Sequence, residues 1–357
     1  MQQDTNLDSN LTGNWKEMHE QIFAFPDLLS ASLEKYNESP WTLKDYEGIA
    51  FAGMGGSSIG SMITKDIYDL NSKIPLIIIQ NFNLPRWITR NWLLIGTSFS
   101  GNTYETNNVV RAAIERGIDV KIISSGGKLL ELANRHNLDF FKLDKTIQKN
   151  NIQIQLQPRA ALPMSIAPIL KFLSEIESIN FNAEQIYREL DSDRHLWNEE
   201  NNTEDNYAKR FAKIIFTQIP IFLGYDATAS VAYRAKCQIN ENAKYIAYNN
   251  VFPEFVHNEI ESFGFDEVNK RILAIILSSK YSTVKNKRLV DVTKGILQEK
   301  INVFEYTNDK PDIFSEIFSM IMFWDFVSLY LSILNQKDPV TVNNIKVLKR
   351  NLKKILE

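Results

Sequence analysis

Ala52-Gly-Met-Gly-Gly-Ser-Ser-Ile-Gly60 is the stretch on which the reading of this chain turns. An apolar, β-forming run at 48–52 leads into it, and a helical pattern over 58–70 follows. A glycine-rich turn between strand and helix bends the backbone sharply and brings amide N–H groups close to an anion, where the positive end of the helix dipole favours negative charge. Gly55 and Gly56 are expected to present those amides, and Ser57 and Ser58 to add hydroxyls. The turn lacks the lysine of a nucleotide P-loop, and glycines at 53, 55, 56 and 60 miss the dinucleotide spacing G-x-G-x-x-G. Taken alone it also suits plain helix-on-sheet packing, so a second element has to decide.

That element is Thr97-Ser-Phe-Ser-Gly-Asn-Thr-Tyr-Glu-Thr106, again a strand end running into a helix, with Ser98, Ser100 and Thr103 able to donate hydrogen bonds. In open parallel sheets ligands sit outside the carboxyl ends of the strands, where both turns are expected. Further strands are expected at 75–79, 92–98 and 120–124, and a helix over 102–116. Apolar strands alternating with helices indicate a mainly parallel sheet covered on both faces.

The pattern restarts after the charged, amide-rich stretch 142–151, with a long apolar helix over 159–176. Strands at 220–223, 245–248, 271–277 and 301–306 alternate with helices over 227–242 and 284–300. The segment 198–206 is polar enough for a loop, and 341–356 reads as a basic amphipathic helix with Ile345, Leu348, Leu352 and Leu356 on its apolar face. The expected fold is α/β, with two similar lobes, each a mainly parallel sheet flanked by helices. The expected division is a helical extension at 1–45, a first domain at 46–150 and a second at 151–357.

A chain of 357 residues with 44% hydrophobic and 23% charged side chains can bury a substantial core. Its formal charge of −3 supplies no global field to attract a nucleic-acid backbone, so an anionic ligand must be held locally. The single cysteine, Cys237, precludes an intrachain disulfide, fits a reducing cytoplasm and leaves no cysteine cluster for zinc. The start of the chain lacks the basic-then-apolar pattern of a secretory signal. The apolar run 317–334 comes nearest to a membrane span, but Asp325 in its middle argues for a helix buried in protein.

Together, GMGGSSIG and SFSGNT resemble the SIS (sugar isomerase) domain. Pro158-Arg-Ala-Ala-Leu-Pro163, Gln238-Ile-Asn-Glu-Asn-Ala-Lys244, Pro253-Glu-Phe-Val-His-Asn-Glu259 and Ile345-Lys-Val-Leu-Lys349, in that order, narrow the resemblance to the bifunctional phosphoglucose/phosphomannose isomerase family. The resemblance runs from about Ala52 to the C-terminus. It implies two SIS-type domains and a sugar-phosphate isomerase of carbohydrate metabolism, in glycolysis and gluconeogenesis. Ser57, Ser98, Ser100 and Thr103 would bind the phosphate, Glu241 would shuttle the proton and Arg159 would steady the enediolate. His257 and Lys349 would assist ring opening, the histidine coming from a neighbouring subunit of a homodimer with shared sites. Ser61 and Tyr104 depart from the family's usual glycine and acid. The threonine associated with accepting the mannose epimer is replaced or shifted, Thr341 being nearest, which leaves mannose 6-phosphate open as a substrate.

Proton transfer between adjacent carbons needs one positioned carboxylate and a fixed cation for the charge that develops, but no metal or redox cofactor. None is expected here. The alternatives left open are a non-catalytic SIS protein that binds a sugar phosphate and regulates a partner, and an isomerase of a different sugar phosphate. Neither nucleic acid nor membrane is an expected partner.

Overall fold

The computed structural model describes every residue except 1–5, 39–40, 70, 150–151, 178, 265–266, 268 and 357. Helices α1 (Gly13–Phe23) and α2 (Phe25–Glu38) precede the first strand. The first sheet comprises β1 (Gly48–Ala52), β2 (Leu76–Ile79), β3 (Trp92–Ser98), β4 (Asp119–Ser124) and β5 (Asp139–Lys142), joined through α3 (Gly56–Tyr68), α4 (Tyr104–Glu115) and α5 (Gly127–His136). Its order is β2-β1-β3-β4-β5, and every pairing is parallel.

An antiparallel hairpin, β6 (Thr146–Lys149) and β7 (Ile152–Gln155), leads to α6 (Leu162–Glu177), α7 (Ala183–Leu196) and α8 (Tyr207–Ile215). The second sheet holds β8 (Ile219–Gly224), β9 (Tyr248–Val251), β10 (Ile272–Leu277) and β11 (Asn302–Tyr306), with α9 (Ala229–Asn242) and α10 (Val284–Gln298) between strands. Helices α11 (Ile313–Leu334) and α12 (Asn343–Leu356) close the chain. The second order, β11-β10-β8-β9, is also parallel throughout and repeats the first four strands of the other sheet.

Alternation along the strands divides the helices between layers. Ile49 and Phe51 join Ile59 and Ile63 of α3 in one core, whereas Ala50 and Ala52 face Val109 and Val110 of α4 and Leu129 of α5 in another. In the second sheet Phe222 and Ile275 face α9 and α11, while Leu223 and Ile276 face Val290 and Leu297 of α10. The inner faces therefore share one apolar layer built from α3, α6, α9 and α11. Helix α11 is long and apolar enough to cross a membrane, yet 94% of its most apolar window is enclosed by protein. Asp325, 3% exposed, accepts from Arg234 Nη2 at 2.5 Å, which supplies the partner that a buried carboxylate requires.

Two expectations shift. The strand expected at 245–248 is β9, at Tyr248–Val251. Lys244 takes a left-handed conformation (φ 50°), and Tyr245 N still bonds back to Ile239 O, so the chain is closing α9 before it enters the sheet. The polar stretch 142–151 contains β6, which pairs with β7 just beyond it; of the hairpin's three isoleucines only Ile147 packs against the main core. The expected domain boundary, between 150 and 151, lies outside the described residues, as does Leu70, the expected end of α3. Helix α6 packs on α2 and α3, alongside the first sheet.

Candidate active site

In the first sheet β1 and β3 are neighbours whose following helices, α3 and α4, leave to opposite faces, which makes their carboxyl ends a topological switch point. Both expected turns lie there and are tied together: Phe99 N donates to Ser57 Oγ at 3.1 Å. Ser98 Oγ and Thr103 Oγ1 share a hydrogen bond of 2.9 Å, and Ser98 Oγ also accepts from Gly101 N. Ser100, exposed, accepts from Asn102 N at 3.2 Å. Ser58 is 1% exposed, and its hydroxyl has no hydrogen-bond partner among the described residues. No side chain caps the start of α3 or α4, whereas α7, α8 and α11 are capped by Asn182, Asn206 and Asp312. The pair of uncapped helix starts is therefore suited to a phosphate.

A third turn, not anticipated from the sequence, braces the second. Ser125 donates to Phe99 O through both its N–H and its hydroxyl, and Asn102 Oδ1 accepts from Lys128 N at the start of α5. Gly101 has φ 69°, and a Cβ there would come within 1.7 Å of Gly126 O, so only glycine lets the two turns close on each other.

The chemistry-bearing groups approach from the 3-10 turn Pro158–Ala161, which leads into α6, and from α9. Gly56 lies so near the Pro158–Arg159 backbone that a Cβ on it would stand 3.5 Å from Arg159 Cα. Arg159 is 3% exposed; its Nε donates to Asn242 Oδ1 at 2.6 Å, and its Nη2 donates to Pro339 O and to Val340 O. Its Nη1 stands 3.5 Å from Glu241 Oε2, whose side chain, at the C-terminal end of α9, is 29% exposed. Asn242, fully buried, passes the contact on to Ser328 on α11. Burial lowers the proton affinity of Arg159, and the Glu241 carboxylate works against that. Lys244, an exposed residue, donates to Glu241 O and Asp338 O, and partial desolvation, reinforced by the Arg159 cation, brings its ammonium down to about 8.

Cations thus gather beside a half-exposed carboxylate, next to an uncapped helix start. Arg159 and Glu241 were expected here from the sequence, whereas Asn242, Lys244 and the turn at 338–340 were not. His257 sits exposed in a 3-10 turn and Lys349 exposed on α12. Among the described residues neither shares a hydrogen bond or ion pair with Arg159, Glu241 or the two serine-bearing turns. Those two expected site residues are not brought to the others within one chain.

Helices α3 and α9 are clasped directly. Asp66 Oδ2 on α3 accepts from Ser230 N at 2.9 Å and from the Ser230 hydroxyl at the start of α9. Burial pushes the Asp66 carboxyl up to about 6, against the hydrogen bonds from Ser230. A folded-state value above the ordinary 3.8 means that the fold favours the neutral form. That contribution is complete below about pH 4 and is lost as pH rises through about 6, a change of roughly 3 kcal/mol. Denaturant unfolding between pH 4 and 7 should show this slope, and Asp66→Asn should flatten it; an unchanged slope would clear Asp66 of the effect.

The second sheet has its own switch point, between β8 and β10, and there the place of an anion is taken by the chain itself. Asp226 accepts from Thr283 N at 2.8 Å and from the Thr283 hydroxyl at 3.1 Å, and from Asn286 Nδ2 at 2.7 Å, all at the start of α10.

Residues 204–352 match the family described as bacterial phospho-glucose isomerase C-terminal SIS domain. The chain is 32% identical over 352 residues to a bifunctional phosphoglucose/phosphomannose isomerase of Caldicellulosiruptor bescii, covering 95% of this chain and 99% of that one. The chain belongs to the bifunctional phosphoglucose/phosphomannose isomerase family. A second member, from Aquifex aeolicus, is 29% identical over 326 residues, 89% of this chain and 96% of its own. Among solved structures, a hypothetical protein of Thermus thermophilus superposes with a TM-score of 0.67 over 96% of this chain and 94% of that one, at 13% identity. That likeness shows the shared α/β fold. Within the family's C-terminal SIS domain fall Glu241, Lys244, His257 and Lys349, whereas both serine-bearing turns and Arg159 precede it.

Proposed function

We propose that the chain interconverts glucose 6-phosphate and fructose 6-phosphate, and acts on mannose 6-phosphate as well, by proton transfer through a cis-enediolate. The observation that carries this reading is the ion-pair contact of Arg159 with Glu241 beside the paired starts of α3 and α4. In this reading the phosphate sits on the backbone amides at Gly55 and Gly56 and on the hydroxyls of Ser57, Ser98, Ser100 and Thr103. The opposite end of the sugar then reaches Glu241. A single carboxylate takes the proton from one carbon and returns it to the next, while the Arg159 guanidinium, already fixed by Asn242 and two carbonyls, faces the developing oxyanion without reorganising. Membership of the family supports the substrate class, and the cationic surroundings support the charge distribution of the intermediate.

The test is a coupled assay on a panel of hexose, pentose and amino-sugar phosphates, run alongside the reaction in D2O. Fructose 6-phosphate should appear from glucose 6-phosphate with deuterium entering at C1 of the ketose, and at C2 of glucose 6-phosphate when the reaction runs in reverse. Binding of fructose 6-phosphate without exchange would instead favour a regulator, and turnover confined to another sugar phosphate would move the assignment within the same chemistry.

The reading extends to a cytoplasmic homodimer with shared sites, serving carbohydrate metabolism, and to domains at 46–150 and 151–357 after the extension at 1–45. The exposure of His257, and of Ile345 (39%) and Leu348 (58%) on α12, supports a partner that covers them. His257 and Lys349 would then open the sugar ring, His257 acting in the partner's site. Mixing inactive Glu241→Gln and His257→Ala chains after dissociation should restore up to about a quarter of the wild-type activity, the share expected when one site per mixed dimer is intact and subunits pair at random. No recovery would sink the sharing.

A further inference from the structure

Four consecutive carbonyls, those of Lys337, Asp338, Pro339 and Val340, accept hydrogen bonds from side-chain nitrogens of separate elements. Trp15 Nε1 of α1 donates to Lys337 O at 3.1 Å, Lys244 Nζ to Asp338 O at 2.6 Å, and Arg159 Nη2 to both Pro339 O and Val340 O. The turn also folds on itself, Asp338 Oδ1 accepting from Val340 N at 2.8 Å. It joins α11 to α12 and so sets where α12 begins.

We infer that Lys244 is a positioning residue for the isomerisation, bridging the helix end that carries Glu241 to the turn that holds Arg159. The inference rests on the function proposed above. An ammonium carries three donors, and Lys244 directs two of them to Glu241 O and Asp338 O, both at 2.6 Å. The same turn fixes the Arg159 guanidinium, which in turn stands 3.5 Å from the Glu241 carboxylate. The bridge therefore closes a loop: base, helix end, ammonium, turn, guanidinium and back to base. Opening it leaves two carbonyls without their donor and lets the carboxylate drift against the guanidinium. The phosphate grip, on α3 and α4, is untouched, so the loss should fall on turnover and spare substrate affinity. Trp15 holds the same turn through Lys337 O, which gives the N-terminal helix a part in the site.

The groups that face Lys244 are Arg159, Asp338 and Glu241. With its ammonium down at about 8, the cation is present below that pH and is lost above it. The experiment is kcat and KM for fructose 6-phosphate between pH 6 and 9.5, on full-length wild type and on Lys244→Met, Lys244→Arg, Trp15→Phe and Glu241→Gln. Lys244→Met should lower kcat by about 10-fold or more, the scale of a small misplacement of catalytic groups, with KM nearly unchanged and no activity step near pH 8. Lys244→Arg, cationic throughout, should recover most of kcat and also lack the step. Trp15→Phe, which removes one donor at a half-buried position, should lower kcat a few-fold while retaining the step, and it carries the test if Lys244→Met does not fold. Wild-type kcat in Lys244→Met, or a Trp15→Phe effect confined to KM, would overturn the inference. An inactive wild type would sink the proposed function instead, whereas an active wild type with an equally active Lys244→Met would sink this inference alone.

Discussion

Glu241→Gln lowers kcat for the glucose 6-phosphate to fructose 6-phosphate interconversion by at least about 10²-fold, the lower end of what a positioned general base contributes. The amide keeps the shape of the side chain and can still meet Arg159 through its oxygen, so the substrate pocket stays in place. Because the carboxylate is partly solvated and stands 3.5 Å from the guanidinium, losing its charge should cost stability only about 1 kcal/mol or less. Deuterium entry at C1 of fructose 6-phosphate should fall with turnover, and KM should change little, since the proposed phosphate grip lies on the other lobe's turns. Near-wild-type exchange in the variant would remove Glu241 from the proton path.

Arg159→Lys should be comparably damaging, although it preserves the charge. The guanidinium spreads its donors over Asn242 Oδ1, Pro339 O and Val340 O while Nη1 faces Glu241, and no single ammonium can occupy those directions together. We expect kcat to fall by about 10²-fold, the scale of losing one fixed donor to a developing oxyanion. The stability loss should exceed that of Glu241→Gln, because each buried acceptor left unpaired costs about 1–3 kcal/mol. Measuring kcat and the unfolding free energy on the same preparation separates the two effects. A variant that unfolds more easily but turns over normally would make Arg159 a structural residue alone.

The strands β1 and β3 were legible to the residue because both are short apolar runs ended by glycine- and serine-rich turns, and a parallel strand buried on both faces has no other way to be written. β9 was misplaced because Tyr245 is aromatic and strand-like in composition yet is held by the end of α9, a tertiary fact invisible in a local pattern. The hairpin β6–β7 was hidden because it borders an amide- and charge-rich stretch and, of its three isoleucines, only Ile147 packs against the main core. At the site the two turns could be read because glycine and serine at close spacing have a local meaning. The turn at 338–340 could not, since its contribution is made by backbone carbonyls, which every sequence possesses. Asn242 and Lys244 were within a quoted motif, but their partners lie far along the chain, at Arg159, Ser328 and Asp338.

The carboxylate of Asp226 at the head of α10 makes the halves of the chain unequal despite their matching strand orders. Calorimetric titration with a sugar phosphate should accordingly saturate at a single equivalent per polypeptide, and a phosphonate inhibitor should find no secondary pocket to dilute it. In the proposed reading, duplicated architecture serves a division of labour, one half receiving the ester and the other lending the acid that works upon it.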